Sequence, residues 1–314
     1  MRHVMAVLAV TVLASLAICQ AEDDEATAVK AIEKLGGRVY QEPKKPVEEV
    51  TFKGVGDLPD AALKELKALK GLKQLNLSET AVTDMGMKEI SSMTTLEKLV
   101  LSSTRVTDAG LAKLATLKNL TELYLMNTKV SGTGLKQLKN LEDVSLNDSK
   151  FDDRGVKQLK DLKKLRSLTL DGTLITNAGM KDLKEFENLE SLGLEKTKLT
   201  DAGLKELKGL KKLRLLNLNN TQLTDAGLKE LKGLENLEGL YLKHTRVTDA
   251  GLKDLKGMTK LQTLHLDGTK ITGAGLKELE QLKQLRTLTL GETGVTADDA
   301  KALYAARPDM RISY

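Results

Sequence analysis

The sequence predicts an α/β solenoid, right-handed and curved into a horseshoe, with parallel strands on its concave face and short helices on its convex face. Three observations carry this expectation. An LxxLxL pattern recurs along the chain, nearly always at a step of 24 residues. Within each copy, polar and apolar residues alternate with a period of two, as on a strand with one buried face. Between copies, leucines return every three residues while Lys and Glu fill the other positions, which suits a short amphipathic helix. A strand and a helix of this size cannot each bury an apolar face alone, so successive units must stack and share one leucine core.

In chain order, the first element is an export signal expected over residues 1–21. Arg2 supplies a basic start, Val4 to Cys19 an apolar run, and Ala21 a small residue ahead of acidic sequence. The run is shorter than the roughly 20 residues of a membrane-spanning helix. A second option is lipidation at Cys19, although Ile18 is bulky where a small residue belongs. Either way the chain is expected outside the cytoplasm, secreted or periplasmic, with no integral membrane segment after processing. Residues 22–46 should form an N-terminal cap. Ala28, Val29, Ile32 and Leu35 have helical spacing, Gly36 and Gly37 stop the helix, and Arg38 to Gln41 suit a short strand before Pro43 and Pro46.

Residues 47–314 carry about eleven repeats and a short C-terminal cap. A degenerate first copy lies at Val47, Val50 and Phe52, and regular copies begin at Leu72, Leu96, Leu120, Leu141, Leu165, Leu189, Leu213, Leu237, Leu261 and Leu285. After most strands comes Thr, then typically Thr-Asp-Ala-Gly-Leu, as in Thr197 to Leu204. Thr200 and Asp201 sit where an N-cap and a first-turn acid favour a helix start. The recurrent threonines, with Ser149 in one unit, are expected to form a stacked ladder that satisfies backbone groups where the chain leaves the strand. Gly weakens a helix by about 1 kcal/mol against Ala, so its return in every unit implies close packing. Past Pro308, Arg311 to Tyr314 reads as a last short strand.

On these motifs the chain resembles the leucine-rich-repeat family, and its Thr-x-Val-Thr-Asp-Ala-Gly-Leu units are similar to the bacterial, cysteine-free repeats and to the subclass in F-box adaptor proteins. The resemblance implies a non-catalytic scaffold that binds a protein, peptide or glycan on its concave face. An adaptor role like that of the F-box proteins is a further option, opposed by the export signal and by the lack of an F-box-like segment before Val47.

Composition narrows the function. After removal of residues 1–21 the formal charge is +4, too mild for a nucleic-acid protein. No cysteine follows Cys19, so the mature chain has no disulfide and its ends must close by packing. Only His244 and His265 remain as histidines, no metal motif is present, and neither catalysis nor a cofactor is expected. Among the outward strand positions, mostly Ser, Thr, Asn, Asp and Gly, the exceptions are Val100, Tyr124 and Met126, then Leu215, Tyr241 and His265. Exposed aromatic and apolar residues on a polar face are candidates for ligand contact. Between the groups lie Asp143, Asp148, Asp171 and Glu195. Two features stand apart: the step from Leu120 to Leu141 is 21 residues, and Lys157, Lys160, Lys163 and Lys164 crowd the outer helices nearby. Those lysines support an alternative, an envelope component held to anionic polymers, and the chain is read as a monomer.

Overall fold

A computed structural model describes residues 24–314, so the expected export signal and Cys19 lie outside the described residues. Two compact units are present, one ending at Leu120 and one running from Thr121 to Tyr314.

In the first unit, a helix over 24–34 buries Ala28 and Ile32. Strand β1 (Arg38–Tyr40) pairs antiparallel with β2 (Glu49–Thr51), and β3 (Gln74–Asn76) and β4 (Lys98–Val100) follow in parallel. A Cβ on Gly37 would lie 2.6 Å from both Ile32 and Phe52, so the turn after the helix has room only for hydrogen.

The second unit is a run of parallel strands, each one repeat from the next: β5 (Glu122–Tyr124), β6 (Asp143–Ser145), β7 (Ser167–Thr169), β8 (Ser191–Gly193), β9 (Leu215–Asn217), β10 (Gly239–Tyr241), β11 (Thr263–His265), β12 (Thr287–Thr289) and β13 (Arg311–Ser313). The register never slips. Leu123, Val144, Leu168, Leu192, Leu216, Leu240, Leu264 and Leu288 form one continuous buried row. Behind the strands, short helical turns bury their leucines, for example Leu204 and Leu207.

The threonine hydroxyls satisfy backbone groups at the strand ends as expected, but their arrangement needs correction. Thr128, Thr173, Thr197, Thr221, Thr245 and Thr269 are buried, but each hydroxyl donates to the carbonyl three residues earlier in its own repeat, as Thr245 does to Leu242 at 2.7 Å. They are local caps on strand ends and not a ladder between repeats. The true ladder uses the aspartate that the sequence assigns to helix starts. Asp201 Oδ1 accepts from the Thr224 N–H at 2.9 Å and Asp201 Oδ2 from the Thr224 hydroxyl at 2.6 Å, one repeat on. Asp225 and Asp249 hold Thr248 and Thr272 in the same way, and Asp60 and Asp84 do so for Thr83 and Thr107 in the first unit. The reaching carboxylate explains the recurrent glycine: a Cβ on Gly227 or Gly251 would collide with the Oδ1 of Asp201 or Asp225.

Packing alone does not close the C-terminal end. The Arg307 guanidinium, only 7% exposed, donates to the carbonyls of Leu282 at 3.0 Å and Leu285 at 2.9 Å and pairs with Asp309. Charged hydrogen bonds therefore satisfy these carbonyls of the preceding repeat.

Candidate binding surface on the strand face

Because side chains alternate along a strand, the residues either side of each buried central residue point to the open face. In the second unit the strands β6 to β8 place Ser145, Ser167, Thr169, Ser191 and Gly193 there. These small residues form a shallow floor. At one end stands Tyr124 on β5, and five strand steps away, about 24 Å at 4.8 Å per step, stands Tyr241 on β10.

The Tyr241 end is an apolar patch. Tyr241 and His265 occupy matched positions on β10 and β11, and their rings meet edge to face with centroids 4.8 Å apart. Leu215, 42% exposed, pairs in register with Gly239 on β10. A Cβ on Gly239 would lie 2.7 Å from the Leu215 side chain and 3.4 Å from the Tyr241 ring, so both lean over the bare glycine and the patch runs unbroken from Leu215 to His265. Burial, followed by the charge of Lys243, holds the imidazole of His265 below its ordinary pKa, while Asp267 opposes the shift. The shift favours the uncharged imidazole, which suits an apolar contact.

The Tyr124 end differs from the sequence expectation. Tyr124 is half-buried, and its hydroxyl lies 3.0 Å from Glu122 Oε2 and 3.2 Å from Asp143 Oδ2. Burial, the charge of Asp143 and the Glu122 hydrogen bond all raise its pKa. Tyr124 is thus tied down among carboxylates and is not a free aromatic anchor. Met126 sits just past β5 and is 43% exposed. Val100, half-buried on β4, belongs to the first unit. Of the six residues singled out in the sequence, Leu215, Tyr241 and His265 form one contiguous patch.

A groove of about 390 Å³ lies beside the floor, lined by Ser167, Ser191 and Leu215 and walled by Glu142, Arg166, Glu190, Arg214 and Glu238. The five wall residues are the residue before the strand in five consecutive repeats, and their charges alternate. Arg166 pairs with Glu190 at 2.9 Å, and Arg214 grips Glu238 through two bonds of 2.9 and 2.8 Å. Sequence reading missed this wall. Its signal is the 24-residue column of alternating charge, visible only when repeats are aligned and read downward.

The lysines of the outer helices lie elsewhere. A depression of about 820 Å³ beside the shortened repeat is lined by Lys136, Lys157, Lys160 and Lys163, but also by Asp161, Asp182 and Glu185. The carboxylates cancel most of the positive charge. Among the described residues, no group of three or more His, Cys, Asp or Glu side chains is placed to hold a metal, and no helix is long and apolar enough to cross a membrane.

Two family models, both described as leucine-rich repeat, match the chain, one over residues 187–247 and the other over 92–115 and 257–279. The chain is a leucine-rich-repeat protein. Among solved structures it is similar to an internalin (InlF) from Listeria monocytogenes, with a TM-score of 0.66 and 20% identity over 91% of this chain and 94% of that one. Two further similarities are weaker. One is to the plant peptide hormone receptor RGFR1 in complex with RGF2, at a TM-score of 0.49 and 16% identity over 82% of this chain and 56% of that one. The other is to internalin C2 of Listeria monocytogenes, at 0.46 and 24% over 74% and 83%. A search of curated proteins by sequence matches none. The internalin likeness bears on fold alone: mostly parallel strands backed by short helices, as the leucine repeat predicts. In a leucine-rich-repeat protein the leucines are committed to the core, so chemistry that varies from one repeat to the next falls to the strand face and the turns.

Proposed function

We propose that this leucine-rich-repeat protein is a non-catalytic, extracytoplasmic scaffold that binds an extended segment of a partner protein or peptide on the strand face of its second unit. One observation carries the reading: the unbroken Leu215–Tyr241–His265 patch beside a groove floored by serines. Large apolar side chains held by a rigid sheet give anchoring contacts at low entropic cost, and the groove beside them, lined by five carboxylates against Arg166 and Arg214, favours a segment carrying positive charge. The span suits an extended segment. The basic, apolar and small-residue sequence of positions 1–21 supports export.

Crosslinking of the exported protein in its native envelope identifies the partner, and titration of that partner tests the surface. Tyr241→Ala is expected to lower affinity by about 2 kcal/mol or more, roughly thirtyfold, with little change in melting temperature. Lys208→Ala and Lys232→Ala, on the helix face and paired with Glu230 and Asp254, should leave affinity unchanged. Unchanged affinity in Tyr241→Ala, together with loss in the lysine variants, would move the binding surface to the helices.

A further inference from the structure

The opposite edge of the strand face, where the chain turns off each strand, carries charge of a different kind. One position after each buried hydroxyl stands, in successive repeats, Lys129, Lys150, Leu174, Lys198, Gln222, Arg246 and Lys270. Five of these seven are cations, all five are exposed, and none has a hydrogen-bond or ion-pair partner for its side chain among the described residues. The wall before the strands is the reverse, its arginines both paired with glutamates.

The row is rigidly spaced. The backbone N–H of Leu174, Gln222, Arg246 and Lys270 donates to a carbonyl of the preceding repeat at 2.8 to 3.2 Å, a second narrow ladder outside the main sheet. Just before each hydroxyl, the residue takes the left-handed conformation, from Asn127 at φ 54 through Lys196 and His244 to Gly268 at φ 67, so every turn repeats the same path. Six repeat steps separate Lys129 from Lys270, about 29 Å at 4.8 Å per step.

Nearby acids do not cancel the row. At the left-handed position the carboxylates in the second unit are Asp148 and Glu292, against Lys196. Three residues after Lys150, Lys198 and Arg246 lie Asp153, Asp201 and Asp249, each engaged through both oxygens by a threonine of the next repeat. At the two ends, three residues after Lys129 and Lys270, stand Gly132 and Gly273 instead, the second covered by the Asp299 carboxylate, which Thr296 engages through its N–H and hydroxyl.

We propose that this row is a binding rail for a linear polyanionic glycan. A row of unpaired cations set one or two repeat steps apart complements a polymer whose charges repeat along its length. The alternatives fit less well: the row has no aromatic side chain on which nucleic-acid bases would stack, and only Leu174 as an apolar group around which a protein interface would centre.

The test uses the full exported chain and heparin as probe, with uncharged dextran as control. Binding to heparin is expected at about 50 mM salt and should weaken steeply toward about 300 mM, because counterions released from the polymer drive association. Replacing Lys129, Lys150, Lys198, Arg246 and Lys270 together by Gln should weaken binding at least about tenfold at unchanged melting temperature. Replacing Lys136, Lys157, Lys160, Lys163 and Lys164 by Gln removes the same charge and should cost no more than about twofold. Tyr241→Ala should leave heparin binding intact, which separates this surface from the strand-face patch. No binding by the parent at low salt, equal loss in both charge variants, or equally tight binding of duplex DNA would overturn the proposal.

Discussion

Besides the rung at Thr200, where the Asn177 amide accepts from the N–H and donates to the hydroxyl, two kinds of rung coexist in the second unit, and their difference shows what holds each repeat to the next. In a regular rung, such as Asp201 below Thr224, the lower repeat supplies a carboxylate that accepts both the N–H and the hydroxyl of the upper threonine. In two rungs the lower residue is glycine, and each time the upper repeat caps itself. Above Gly132, Asp152 replaces threonine and accepts from the N–H groups of Arg154 and Gly155 in its own helix. Above Gly273, Thr296 and Asp299 form a capping box, and the Asp299 carboxylate covers the glycine. The requirement common to both is a satisfied helix start. Where the carboxylate comes from is free to change.

The largest expected effect tests the rung over Gly132, at the 21-residue step. Phe151 stands where other repeats carry Val, Ile or Leu, and its ring lies 2.7 Å from where a Gly132 Cβ would be, so it fills the room that a side chain at 132 would take. Phe151→Ala should cost about 3–5 kcal/mol, at or above the 2–5 kcal/mol expected of Leu223→Ala at the matching regular position. Urea unfolding measures both. A Phe151→Ala cost well below that of Leu223→Ala would mean that the shortened repeat collapses around the gap and that the ring is not its filler.

A smaller effect separates the two sources of carboxylate. Asp201→Ala leaves two donors of Thr224 without their acceptor and should cost about 1–3 kcal/mol, toward the lower end because Thr224 is half-buried and water reaches it. Asp299→Ala removes a cap within one exposed helix, where water replaces the lost acceptor more fully, and should cost less than Asp201→Ala. The two also differ in acid. Hydrogen bonds from the hydroxyl and then the N–H of Thr296 hold the Asp299 carboxyl below its ordinary pKa. Its contribution is therefore complete above the ordinary carboxylate pKa and disappears as pH falls through the lowered folded value. Stability of the parent should decline over that window more than that of Asp299→Ala, and parallel curves would remove the capping box as the cause.

These rungs mark the limit of what the sequence discloses. Its period places Leu240 and its neighbours in the core, and the cost of glycine in a helix points to close packing at Gly227, both from properties of single repeats. Asp201 looks like a first-turn acid in its own helix, because its actual partner Thr224 lies 23 residues on and becomes a neighbour only when repeats stack. The same holds for Arg214 with Glu238 and for Tyr124 with Asp143. Arg307 is hidden for another reason: nothing local distinguishes an arginine that caps bare carbonyls from one in solvent. Interactions within a repeat follow from its pattern, while those between repeats follow from columns that a reading along the chain does not align.

The smallest effect is also the most diagnostic, because it converts one kind of rung into the other. Gly273 begins a helix at ordinary φ, so its backbone accepts any side chain, and it stands 23 residues before Thr296 as Asp201 stands before Thr224. Gly273→Asp alone should destabilise, since a Cβ there runs into the Asp299 carboxylate and the change sets two negative groups together. In an Asp299→Ala background that obstruction is gone, and the introduced carboxylate can accept from the N–H and hydroxyl of Thr296. The double variant should then be at least as stable as Asp299→Ala, giving a favourable coupling in a double-mutant cycle that exceeds the roughly 0.5 kcal/mol scatter of independent sites. Thermal unfolding of the four proteins measures it. Additive losses would show that glycine at position 273 is required by the backbone itself, and that the two kinds of rung are not interchangeable answers to one unsatisfied helix start.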